Sequence, residues 1–218
     1  MAQQVCCRSF NSARMVSVAS LDILLMVSLL ILVNLGLLIG NVPTDQLIFD
    51  YFAISDGQWW RLISWPLVHV SRYHLLLDGV AFLLLYQGLE EQQLGRRLIF
   101  VFCAASGSLL LPLAISPYIY SIGLCGLSGL AHGLAAVSSL EMIRYRQQRL
   151  FGFALLVGLL LKVSCEIMTG SVFFQSLHLG SVGQPIVSTH AGGVIGGTIG
   201  YLIVFIFIRR MVFNTPER

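Results

Sequence analysis

Six apolar runs mark the chain: Leu21 to Gly40, Pro66 to Gly88, Leu98 to Ile115, Tyr120 to Leu140, Leu150 to Met168, and Ile186 to Ile208. Each is close to the roughly 20 residues that a helix needs to cross the hydrocarbon core of a bilayer. Backbone polar groups within lipid must be paired internally, so the choice lies between a helix bundle and a closed barrel. The runs are unbroken and lack the alternation of barrel strands, which selects the bundle. The pattern predicts an all-α membrane protein with six transmembrane helices over residues 21–210. Residues 1–20 carry no periodic pattern and read as a flexible tail. The connections are short, with no linker or low-complexity tract that would announce a second domain. The first run is too long for a cleavable signal peptide and lacks a small-residue cleavage site.

Composition agrees. Of the 218 residues, 56% are hydrophobic and only 11% charged, against about 25% charged in a soluble domain. With six spans both termini share a side, and that side holds Arg8, Arg14, Arg96, Arg97, Arg144, Arg146, Arg149, Arg209, Arg210 and Arg218. Arg61 and Arg72 fall on the other side, and Lys162 within a span. Arginine accumulates in cytoplasmic loops, so both termini are expected in the cytoplasm. The net charge of +3 is then a topology signal and calls for no nucleic-acid partner. Five cysteines show no metal-ligand spacing, and neither a metal nor a cofactor is expected. Cys103, Cys125 and Cys165 lie in apolar runs and read as inert thiols, with Cys6 and Cys7 in the tail.

Polar residues inside the runs are the informative ones, because they are costly at membrane depth and often mark function. The stretch Gly123-Leu124-Cys125-Gly126-Leu127-Ser128-Gly129-Leu130-Ala131-His132-Gly133 sets a serine and a histidine one helical turn apart among glycines. Taken as continuous helix, the fourth run carries Ser128 about eight residues in, roughly 12 Å below its start. Gly129 and Gly133 form a small-xxx-small pair there. The sixth run opens with His190, followed by Gly192, Gly196 and Gly200 on one stripe and Gly193 and Gly197 on its neighbour. Glycines on both runs permit close approach. A serine hydroxyl needs a base within about 2.6–3.2 Å, and a Ser128–His190 dyad without an acid follows. His132 is a rival base, or else packs on His190.

Stabilisation of an oxyanion would come from the Ser128 backbone N–H and His74. Asp78, four residues after His74, is either protonated and donating or ionised and holding His74. His69 reads as an ion-pair or hydrogen-bond staple to neighbouring helices. Lys162 and Glu166 read as a mutual pair, with a role in gating or in reading a charged substrate as the lesser alternative. The third run reads as packing, Glu90 to Arg97 as a solvated turn, Asp22 as a helix-dipole partner, and His178 as a loop residue without a role. The segment from Asn41 to Trp65 is an aromatic belt or a partly embedded loop shaping access.

These residues resemble the rhomboid family of intramembrane serine proteases: Trp60-Arg61, His69, His74 and position 78, Gly126-Leu127-Ser128-Gly129, and His190-Ala191-Gly192-Gly193 with Gly197. The resemblance spans about Trp60 to Gly200 and implies a rhomboid-like bundle. It implies Ser128 as nucleophile, His190 as base, His74 at the oxyanion, and Trp60-Arg61 in a membrane-embedded first loop. Asp78, His132, Gly126 and Gly129 would support the site, and Gly133, Gly193 and Gly197 would pack its helices. Rhomboids usually carry Asn at the position of Asp78 and often an aromatic at that of His132. Ser128-Gly129-Leu130-Ala131-His132-Gly133 resembles the bacterial rhombosortase subfamily. That likeness implies a transmembrane substrate with a C-terminal sorting tail: a Gly-Gly motif, a hydrophobic span and a basic end. Cleavage would pass through an acyl-enzyme near the outer leaflet of the inner membrane, with release to water or transfer to an amine. An inactive rhomboid-fold protein that escorts membrane clients is the alternative. A small transporter would show internal repeats, which this chain lacks.

Overall fold

The computed structural model describes residues 12–173 and 179–213, with the backbone alone for 12–20 and 207–213. Cys6, Cys7 and His178 lie outside the described residues. The described chain is helical: α1 (Ser12–Val33), α2 (Leu35–Gly40), α3 (Tyr51–Ser55), α4 (Arg61–Ser64), α5 (Arg72–Gln87), α6 (Leu94–Ile115), α7 (Ile119–Ile122), α8 (Ser128–Arg144), α9 (Arg149–Thr169) and α10 (Ser188–Phe213), with 3-10 turns at Asp45–Leu47 and Trp65–Leu67. α1 thus opens inside the stretch read as a tail.

Among the described residues, three segments are long and apolar enough to cross a membrane: Leu94–Ile115, Arg149–Thr169 and Ser188–Ile206. Arg61–Leu67 and Arg72–Gln87 make a fourth only if their 93° bend lies within one span, and Leu21–Val33 is a shorter apolar helix. Many large apolar side chains on α6 and α9 face outward, among them Phe102, Leu110, Leu150 and Phe151. Such a surface suits hydrocarbon.

The centre of the fold is α10, packed against α6 and α8, with α9 and α5 flanking α8. Its two glycine stripes serve two neighbours. A Cβ on Gly193 or Gly197 would run into the carbonyl oxygen of Gly129 or Gly133 on α8. One on Gly192 or Gly196 would strike the carbonyl oxygen of Gly107 or Cys103 on α6. Absence of side chains lets the three backbones touch, which is how helices associate where no hydrophobic effect drives them together.

Two apolar runs break where a single helix was expected. The fourth is interrupted between α7 and α8. Gly123 (φ 71°) and Gly126 (φ 98°) adopt left-handed backbone there, a conformation that only glycine adopts without cost. Leu124 instead exchanges backbone hydrogen bonds with Phe49, at 3.0 and 3.1 Å. Ser128 is therefore the first residue of a helix, and not eight residues down one. The second run bends at Val68–Ser71, so His69 lies between helices and only His74 and Asp78 ride on α5. Asn34, buried at the α1–α2 break, holds this bend by donating to the Leu67 carbonyl (2.7 Å) and accepting from the His69 N–H (3.1 Å).

The opposite end of the bundle is pinned by charge. Glu141 on α8 accepts the backbone N–H groups of Glu90 and Glu91. Arg97 donates to the carbonyls of Glu91 and Leu89 and lies 3.7 Å from Asp22, which also accepts from Tyr86. The turn read as solvated is a tethered one, and Asp22 has side-chain partners beyond the helix dipole.

Candidate active site

Ser128 starts α8, His190 lies in the first turn of α10, and the glycine contacts bring both helices to van der Waals distance just below them. Ser128 Oγ is 3.2 Å from His190 Nε2. The other ring nitrogen, Nδ1, is 2.8 Å from Glu166 Oε2 on α9. A carboxylate only accepts, so Nδ1 carries the proton and Nε2 faces the hydroxyl with a free lone pair. The acid missing from the expected dyad is present, on the one residue assigned merely to pair with Lys162.

Glu166 is fully buried. Its second oxygen accepts from Lys162 Nζ (2.6 Å) and from the Phe173 N–H (2.9 Å). Lys162 Nζ also donates to His132 Nε2 at 2.8 Å, and His132 Nδ1 lies 2.7 Å from the Ser128 carbonyl oxygen. An ammonium only donates and a carbonyl only accepts, so His132 is neutral with its proton on Nδ1. Both of its nitrogens are committed, which removes it as a base for Ser128. Its ring stacks on His190 instead, centroids 4.1 Å apart and planes 10° from parallel. His132, Glu166 and His190 have ligand atoms close enough together to hold a metal ion. The Lys162 ammonium already bridges two of them, so the chain supplies its own cation there.

On the other side of Ser128 stands Asp78. Its Oδ2 accepts the Ser128 backbone N–H at 3.0 Å and lies 3.1 Å from His74 Nε2 and 3.8 Å from His69 Nε2. A carboxylate at the first amide of a helix is electrostatically favoured. Here it occupies the place between the two expected oxyanion donors. Gly126 allows the fit, because a Cβ there would come within 2.8 Å of Asp78 Oδ2 and 2.9 Å of the His74 ring.

These groups line a cavity of about 480 Å³. Ser128, His190, His132, Lys162, His74 and Asp78 are among its polar lining residues, and the lining is otherwise largely apolar. Cys125 also lines it and is a free thiol, as are Cys103 and Cys165. Trp60 and Arg61 stand back from the cavity. Arg61 donates to the carbonyls of Asp45 and Ile48 (both 2.7 Å) and to Gln58 (2.8 Å), while Trp60 Nε1 donates to Gln46 O (3.0 Å). They staple the segment before α3, whose Phe49 pairs with Leu124 on the approach to Ser128.

Residues 56–210 match the Rhomboid domain family. This chain belongs to the rhomboid family. Rhomboids are generally intramembrane serine proteases, and the family together with the apolar helices makes this an integral membrane protein. No curated protein sequence matches it.

The sequence reading missed Glu166 as a neighbour of His190. A signal existed in the helical register: Leu159, Val163 and Glu166 follow one another at inward spacing on α9, with Val163 and Glu166 buried. An acid on the packed stripe of a helix needs partners on the next helix, and a partner one turn away on its own helix does not explain it.

Proposed function

We propose that this chain is an intramembrane serine endopeptidase in which Ser128 is the nucleophile and His190 the general base. The observation that carries the reading is the 3.2 Å approach of Ser128 Oγ to His190 Nε2 in a largely apolar cavity. Ser128 Oγ adds to the scissile carbonyl as its proton passes to His190 Nε2. The oxygen that gains charge is stabilised at the start of α8, by the Ser128 N–H with His74 beside it, once Asp78 Oδ2 has moved off both. The C–N bond breaks, the leaving amine takes the proton from His190, and an acyl-enzyme remains. Water or an amine then attacks that ester by the reverse use of the same base. Gly126 leaves room for Asp78 and the His74 ring beside the turn before α8, and Gly129 lets α8 close on Ser108 and Thr189.

Arginine placement supports cytoplasmic termini and a six-span path, with the site opening toward the outer, periplasmic face of a bacterial inner membrane. The likeness of Ser128–Gly133 to rhombosortases supports a substrate with a C-terminal sorting tail, cut near the outer leaflet. The test is co-expression with a tailed substrate and mass spectrometry of its new C-terminus. Ser128→Ala and His190→Ala are expected to abolish processing, and undiminished processing by both would refute the assignment.

A second reading has its own observation. Asp78 Oδ2 sits on the donors that an oxyanion needs, which favours a rhomboid-fold protein that binds membrane clients without cutting them. A serine-directed fluorophosphonate separates the two, since it labels Ser128 only if the serine is activated.

A further inference from the structure

We propose that Glu166 is a positioning residue that turns the serine–histidine pair into a Ser128–His190–Glu166 relay, kept ionised by Lys162. This rests on the serine protease reading. Glu166 has no exposed surface, and a buried carboxylate is costly unless every lone pair is engaged. Three donors engage it: His190 Nδ1, Lys162 Nζ and the Phe173 N–H. Two of them, Lys162 and Phe173, converge on Oε1, and among the described residues Oε2 meets the imidazole alone. The carboxylate therefore fixes His190 as the Nδ1–H tautomer and faces the positive charge that the ring acquires when it takes the serine proton. The electrostatic role is transmitted through His190, because Glu166 does not touch Ser128.

Lys162 does two things at once. Its ammonium balances the Glu166 charge on the side away from His190, and it holds His132 as the neutral tautomer whose face lies against His190. A neutral ring can lie against an imidazolium; a charged one would repel it. The ordering of the base thus depends on α8, α9 and α10 together, and not on the α8–α10 contact alone.

Glu166→Gln is the diagnostic change. An amide presents one acceptor and one donor. Lys162 and Phe173 both donate to the Oε1 position, so the amide oxygen must stay there. The amide NH₂ then faces His190 Nδ1, which is forced to accept. The ring proton moves to Nε2, where it blocks uptake of the serine proton. A wrong tautomer of this kind costs about 10⁴-fold in a serine protease triad.

The experiment measures the rate of fluorophosphonate labelling at Ser128 in the full chain, in lipid, for wild type, Glu166→Gln and Glu166→Asp, with the KM for a tailed substrate beside it. The expected result is slowing by about 10³–10⁴-fold in Glu166→Gln, with KM little changed and most of the rate restored in Glu166→Asp. In the wild type, ¹⁵N NMR of labelled histidine should find His190 protonated at Nδ1; this needs no variant to fold. Labelling of Glu166→Gln within about tenfold of wild type would overturn the relay while Ser128 and His190 kept their roles; a wild-type His190 protonated at Nε2 would overturn the relay and the base role of His190 with it. Failure of the wild type to label at Ser128 would instead overturn the protease reading, and the relay with it.

Discussion

Asp78→Asn should make Ser128 react faster and the fold weaker. An oxyanion bound by the Ser128 N–H would sit about 3 Å from that nitrogen, which is where Asp78 Oδ2 lies now, at 3.0 Å. The two cannot share the position, so reaction requires the carboxylate to move aside. Moved only to about 4 Å from the oxyanion, it would still repel it by about 4 kcal/mol at an effective dielectric constant near 20. That is about a 10³-fold handicap on the rate. An amide of the same shape removes the charge and offers an N–H to the oxyanion. The cost falls on the resting state. The charge-assisted bonds that converge on Oδ2 from Ser128 and His74 are worth about 1.5–3 kcal/mol each, and part of that is lost. The assay is second-order labelling of Ser128 by a fluorophosphonate, with thermal unfolding in the same detergent. Labelling should rise by about 10–10³-fold, the lower bound allowing for relaxation of the carboxylate away from the site. Unfolding should come a few degrees earlier. A labelling rate that falls or stays unchanged in folded Asp78→Asn would refute the reasoning, and would mean that the carboxylate works by holding His74. Labelling of Asp78→Asn but not of the wild type would identify Asp78 as the single obstacle that separates this chain from activity.

Two further outcomes follow from the packing around the site. Gly193→Ala places a methyl group against the Gly129 carbonyl oxygen, so α10 must part from α8. Overpacking of this kind costs about 1–3 kcal/mol, and labelling of Ser128 should fall sharply although no reacting group has changed; full labelling in the variant would show that the two helices tolerate separation. Arg61→Lys replaces a fork that reaches the Asp45 and Ile48 carbonyls and Gln58 at once. A single ammonium cannot reproduce it, so thermal stability should drop by about 1–3 kcal/mol, and an unchanged unfolding temperature would show that the loop needs no such staple.

Whatever depended on one helix at a time was readable in the sequence, and whatever depended on the ends of helices was not. The glycines of α10 announce two close neighbours, and the structure assigns Gly193 and Gly197 to α8 and Gly192 and Gly196 to α6. The receiving glycine on α6, Gly107, stands alone in its run and gave no pattern to read. The proximity of Ser128 and His190 could be anticipated because it follows from those glycines. The position of Ser128 could not, because apolar composition alone reads Tyr120 to Leu140 as one rod. The break depends on positive φ at Gly123 and Gly126 and on the pairing of Leu124 with Phe49, a contact across 75 positions of sequence. That break decides the chemistry available. A serine in mid-helix has its N–H consumed by the preceding turn, whereas one at a helix start has it free. The free amide makes an anion site beside the hydroxyl, and Asp78 now fills it. Glu166 was hidden for the converse reason: its partner at i−4, Lys162, offered an adequate local explanation. Only the arrival of His190 from α10 shows that the lysine balances the acid from one side while the acid serves the imidazole on the other. Reading charge pairs inside a membrane as closed is therefore unsafe when the acid lies on the packed stripe of its helix, since burial gives it a second oxygen to satisfy and the nearest donor lies on another helix.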